Sequence, residues 1–125
     1  MQSENHKKTI YAAILGAGTV GTGVYKLCQE MKSEFVQKTG ADLVVKKVLV
    51  RNASKKREGI EDAVLTDNWK EIIEDPGIDI VIEVMGGIEP AKTYIIEALE
   101  AGKQIVTANK DLLAEHGQEV LSLIH

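Results

Sequence analysis

Four short stretches of this sequence carry residue types that could hold an anion or move a proton. The first, Gly16-Ala17-Gly18-Thr19-Val20-Gly21, fits the spacing GxGxxG. Glycine at the first position permits a tight turn. Glycine at the second lets a pyrophosphate come close to the backbone, and glycine at the third lets a following helix pack against the preceding strand. The backbone from Gly18 through Thr19, Val20 and Gly21 would then offer its amides, and the positive end of the helix dipole, to phosphates. No Gly-Lys-Ser/Thr follows, so a nucleoside triphosphate P-loop is excluded.

The second stretch is Arg51-Asn52, with Ser54, Lys55, Lys56 and Arg57 behind it. An NAD site normally has Asp or Glu at this point to bind the ribose hydroxyls. Nothing acidic is in reach here. The planar fork of an arginine suits a 2′-phosphate instead, which points to NADP, with NAD possible. Asp42 lies near the expected count past the glycine loop but precedes the second strand. The strand would hold it roughly 25 Å from the ribose, at about 3.3 Å per residue. The third stretch is Glu83 with Met85-Gly86-Gly87. Met85, Gly86 and Gly87 leave room for a ring, whereas Glu83 is a charge inside an apolar strand and needs a partner. The fourth, Thr107-Ala108-Asn109-Lys110, places a lysine at the carboxyl end of a strand. A lysine there is well placed for function, and Asn109 and Lys110 are candidate cofactor contacts. The plainer alternative is an exposed lysine at the start of a helix.

These residues are useful only if the chain brings them together, and its periodicity suggests how. Ile10 to Leu15 reads as a strand ending at Gly16. Val20, Val24, Leu27, Cys28, Met31 and Phe35 form a stripe of helical spacing that Gly40 ends, and Cys28 within it reads as a packed core thiol. Leu43 to Val50 is a second strand. Val64-Leu65 is a short third. Asp67 or Asn68 could cap a helix carrying Trp69, Ile72 and Ile73, which Pro76-Gly77 stops. Asp79 to Met85 is the fourth strand. Pro90 suits the first turn of a helix whose apolar face is Ala91, Tyr94, Ile95, Ala98 and Leu99. Gln104 to Thr107 is the fifth strand, and a further helix is expected from Asp111 and Leu112. Strands alternating with helices indicate βαβ units. The expected fold is a single α/β domain, a Rossmann-type doubly wound parallel sheet with strand order 3-2-1-4-5. In that order strands one and four meet at the topological switch point, where ligands bind.

Composition narrows the function class. The chain has 125 residues, 44% hydrophobic and 27% charged, with one cysteine. This suits one globular domain without a disulfide and a reducing, cytoplasmic setting. Residues 1–8 read as a polar tail with no secretory h-region, and no apolar run approaches a membrane span. The net charge of −4 argues against nucleic acid as a partner. The charge is unevenly spread. Residues 1–57 carry 11 Lys+Arg against 4 Asp+Glu, and the remainder carries 4 against 15, so the amino-terminal half is the one that favours an anion. His6, His116 and His125 have no metal-ligand spacing, and no metal site is expected.

On the glycine loop with Thr22-Gly23-Val24 behind it, on Glu83-Val84-Met85-Gly86-Gly87, and above all on Val106-Thr107-Ala108-Asn109-Lys110, the chain resembles the amino-terminal NAD(P)-binding domain of homoserine dehydrogenase. The resemblance covers residues 9–125. It implies a cofactor-binding domain cut short of its substrate domain, belonging to an enzyme that interconverts homoserine and aspartate 4-semialdehyde with NAD(P) in threonine, methionine and isoleucine biosynthesis. It also implies that Lys110 assists proton transfer, that Arg51 relates to NADP use, and that the full-length protein is a homo-oligomer. The second catalytic lysine of that family and its substrate-binding residues would lie outside this sequence. Other semialdehyde or sugar dehydrogenases, or a nucleotide sensor without chemistry, are the alternatives.

Overall fold

A computed structural model describes residues 8–31, 37, 40–54, 59–85 and 87–107. Five strands, β1 (Lys8–Leu15), β2 (Ala41–Leu49), β3 (Leu65–Thr66), β4 (Ile78–Glu83) and β5 (Gln104–Thr107), form one sheet in the order β3-β2-β1-β4-β5. Every pairing is parallel. The expected architecture and strand order are therefore those of the molecule. Among the described residues three α-helices pack with the strands: α1 (Thr19–Glu30), the short α2 (Lys70–Ile73) and α3 (Ala91–Glu100).

The central strand explains why the sheet needs cover on both sides. Ala12, Ala13, Ile14 and Leu15 are fully buried, so β1 has no solvent face. Successive side chains point to opposite faces. Ala13 and Leu15 join Leu49, Val81, Ile72 of α2 and Ala98 of α3 in one cluster. Ile14 joins Val45, Val48, Ile60, Leu65 and Tyr25 of α1 in the other. One helix thus covers one face and two cover the other. Lys92 N–H donates to Ile88 O and Tyr94 N–H to Pro90 O, so Pro90 stands at the start of α3 as expected.

Several boundaries and one helix face differ from the expectation. β2 begins at Ala41, so Asp42 lies inside the strand rather than before it. It still pairs with Thr9 near the start of β1, at the end of the sheet away from Gly16. The third strand is Leu65–Thr66 instead of Val64-Leu65, and β4 ends at Glu83 rather than Met85. α1 ends at Glu30, and Phe35 lies outside the described residues. The larger correction concerns the stripe on α1. Val20, Leu27 and Met31 are exposed, at 58%, 56% and 41%, while Tyr25 is buried and Val24 and Cys28 pack half-buried against the second cluster. The cause is Gly21. A Cβ there would collide with the Gly16 carbonyl, so α1 seats backbone to backbone on the loop, and that seating sets its rotation. Burial pushes the Cys28 thiol above its ordinary value, as suits a core thiol. No helix among the described residues is long and apolar enough to cross a membrane.

Candidate functional site

Parallel pairing aligns the carboxyl ends of all five strands. Thr66, Leu49, Leu15, Glu83 and Thr107 are register partners in sequence across the sheet. Directly beyond this row lies a cavity of about 400 Å³, lined by Gly16, Ala17, Gly18, Leu49, Val50, Arg51, Asp67, Met85, Pro90 and Tyr94. Its size falls in the usual range for small-molecule sites. Its lining comes from the exits of β1, β2, β3 and β4, and so takes in the point between β1 and β4 where the strand order reverses. That is the crevice in which doubly wound sheets bind ligands.

The three glycines of the loop meet different surroundings. Gly16 has φ +107, a conformation that L side chains rarely adopt, and a Cβ at this position would press on Met85, 3.3 Å from its Cα. Its amide donates to Leu49 O at 2.9 Å, which ties the turn to β2. Gly18 meets nothing within 4 Å of a hypothetical Cβ, so the space beside it is open for a ligand. Gly21 provides the close seat already described. Thr22, which the sequence reading left without a role, donates its hydroxyl to Ala17 O at 3.0 Å and ties the loop to α1. Gly18 is the residue preceding α1, and neither a capping side chain nor an acidic residue stands in the first turn. The amides there are left for an anion. The residues present thus fit a dinucleotide pyrophosphate.

Arg51 and Asn52 follow β2 and are both exposed. Arg51 lines the cavity. The Asn52 side-chain oxygen accepts the Ser54 amide at 3.1 Å and the Ser54 hydroxyl at 2.6 Å, so it shapes its own loop. The expectation that nothing acidic is in reach of Arg51 needs correcting, because Asp67 lines the same cavity. β3 pairs with β2, and the Val50 amide donates to Thr66 O at 2.8 Å, so Asp67 emerges beside Arg51 despite sixteen residues of separation in the chain.

Glu83 is fully buried, and the structure supplies the partners that the sequence did not disclose. Its carboxylate accepts the Met85 amide at 2.8 Å and the Thr107 hydroxyl at 2.6 Å. One buried charge thereby ties the exit from β4 to the exit from β5. Val20, Gly21, Asn52 and Gly87 do not line the cavity. Gly86, Asn109, Lys110 and the Thr19 side chain, like His6, His116 and His125, lie outside what the structure describes. Leu49, Pro90 and Tyr94 are lining residues that sequence reasoning missed. Tyr94 was legible as apolar helix face, and it stacks on Trp69 at 4.4 Å between ring centroids.

Comparison with known proteins gives a consistent result. Residues 16–124 match the family described as the NAD-binding domain of homoserine dehydrogenase. Homoserine dehydrogenase from Bacillus subtilis is 45% identical over 116 residues, covering 92% of this chain and 27% of that protein. The one from Lactococcus lactis is 48% identical over 120 residues, covering 92% of this chain and 28% of that protein. A crystal structure of the S. aureus homoserine dehydrogenase superposes with a TM-score of 0.89 at 43% identity, over 95% of this chain and 31% of that one. The chain therefore spans under a third of the length of each of these relatives.

Proposed function

The chain belongs to the family of homoserine dehydrogenase NAD-binding domains, and from that premise we propose that residues 9–125 form the cofactor domain of an NADP-preferring homoserine dehydrogenase. Lys8, assigned to the tail from the sequence, already lies in β1, and the substrate domain belongs to another part of a longer protein. The proposed overall reaction interconverts homoserine and aspartate 4-semialdehyde, with a hydride passing between the homoserine C4 carbon and the cofactor. A bound nicotinamide supplies or accepts that hydride.

The chain's own residues have separable tasks in this reading. Gly16 and Gly18 admit the pyrophosphate to the amides at the start of α1. Asn52 shapes the loop beside the adenosine ribose. Met85, with Gly86 and Gly87, gives the rings room. Glu83 ties the Met85 amide to the Thr107 hydroxyl at the adjoining exits of β4 and β5. Three residues beyond Thr107, Lys110 takes the hydroxyl proton during oxidation and returns it during reduction, close to Asn109. The second catalytic residue and the substrate contacts come from the remainder of the protein.

The observation that carries the NADP reading is Arg51, a fork of donors in the cavity at the end of β2, where an NAD site has an acid. A charge-assisted hydrogen bond is worth about 1.5–3 kcal/mol, which predicts NADPH binding roughly 10–150-fold tighter than NADH. Titration calorimetry with both cofactors tests it, and Arg51→Ala should remove most of the difference. Equal affinities in the unmodified protein, or tighter NADH, would refute the preference.

A further inference from the structure

Among the described residues, no hydrogen bond or ion pair gives the Asp67 carboxylate a task in holding the fold. The sequence offered it, together with Asn68, as a helix cap. The structure gives that work to Asn68, the other candidate, whose side-chain oxygen accepts the Lys70 amide at 3.1 Å, while the Thr66 hydroxyl oxygen accepts the Asn68 amide at 3.1 Å. Asp67 is itself exposed and lines the cavity that also holds Arg51. Its position is well defined, because the carbonyl just before it accepts the Val50 amide at 2.8 Å, and Arg51 is the next residue after Val50.

A carboxylate only accepts hydrogen bonds. The adenosine half of a dinucleotide offers it donors when the ribose carries free hydroxyls, and an anion when the 2′ position carries phosphate. Arg51 has the opposite preference. We propose that Asp67 is a specificity-determining residue, a counterweight that penalises the 2′-phosphate Arg51 attracts and so keeps NADH within reach of the site. This rests on the dinucleotide reading given above. It makes the balance between the two cofactors a property of the β2 and β3 exits together.

The test is calorimetric titration of the full chain with NADPH and NADH, comparing the unmodified protein with Asp67→Asn, Arg51→Ala and Asp79→Asn. Asp79 is exposed near the start of β4, at the far end of the sheet, and controls for net charge. Two charges separated by several ångströms of water-exposed space interact weakly, so the expected effect is moderate. Asp67→Asn should tighten NADPH and leave NADH equal or weaker, widening the ratio by about threefold to tenfold. Asp79→Asn should leave the ratio alone. If Arg51→Ala collapses the ratio but Asp67→Asn leaves it unchanged, the counterweight is refuted while the Arg51 reading stands. If Asp67→Asn shifts both cofactors equally, Asp67 acts on the shared pyrophosphate and its role in specificity is likewise refuted. If neither cofactor binds the unmodified protein, the dinucleotide reading itself has failed.

Discussion

The two ends of the sheet use the same charged residue types for different purposes. At the amino end, near the start of β4 and β5, charges are closed on one another. Lys103 is buried, and its ammonium donates to the carbonyls of Asp75 and Ile78, each at 2.7 Å. Asp75 accepts the Gly77 amide at 2.8 Å and pairs with Lys46 at 2.7 Å. The Lys46 ammonium also lies 5.2 Å from the centre of the Tyr11 ring. At the carboxyl end the arrangement is open. Arg51 and Asp67 face a cavity, and the amides after Gly18 have no capping side chain. Glu83 is the exception, a buried carboxylate satisfied from two strands' exits. Where the protein meets its own polar demands it builds a foundation, and where it leaves them to a ligand it builds a site.

That contrast can be broken from either end. The largest effect should come from Lys110→Ala in the full-length enzyme. If Lys110 handles the proton, kcat should fall by about 10²–10⁴ with cofactor affinity little changed. Near-normal turnover would return Lys110 to an ordinary exposed lysine. Gly18→Val should be next. The space beside Gly18 is open, so the thermal midpoint should hold, while NADPH affinity falls by about 100-fold because the new side chain occupies the phosphate approach. Joint measurement of melting and binding separates this from Gly21, where any side chain meets backbone.

Lys103→Met should do the reverse. It leaves the Asp75 and Ile78 carbonyls without their donor and should lower unfolding free energy by about 2–4 kcal/mol. Denaturant titration measures the loss, and NADPH affinity of the folded protein should stay the same. A change in affinity would mean the two ends are coupled. The smallest effect belongs to Asp75. The Lys46 ammonium, and then the Gly77 amide, hold its carboxyl below the ordinary value of 3.8. A folded value below the unfolded one stabilises the protein above the unfolded value, and the gain is lost as pH falls through the folded value. Asp75→Asn should cost about 0.5 kcal/mol at neutral pH and flatten the acid limb of the stability profile.

How far all this could be read from the sequence depends on how local each feature is. The glycine loop, Arg51 and the strand order follow from short-range patterns: a strand, a turn and a helix in succession, or a residue directly after a strand. The face of α1 did not follow, because Val20, Leu27 and Met31 have helical spacing as convincing as that of Val24 and Cys28. Which stripe turns inward is decided by Gly21 meeting the Gly16 carbonyl, a contact between backbones that hydrophobicity does not encode. The partner of Glu83 was hidden for a different reason. Thr107 is 24 residues away and becomes adjacent only through the β4–β5 register. The nearness of Asp67 to Arg51 was hidden in the same way, since it depends on a two-residue strand pairing with β2.

In the proposed reading, dinucleotide should bind at the open end of the sheet and leave the closed end untouched. Amide hydrogen exchange of the full chain, with and without saturating NADPH, tests it most directly. Protection should rise at residues 16–22, 49–51 and 84–85, and stay unchanged at residues 75–78 and 103–105. Protection confined to the amino end of the sheet, or none at the glycine loop under conditions where NADPH is bound, would contradict dinucleotide binding at the open end.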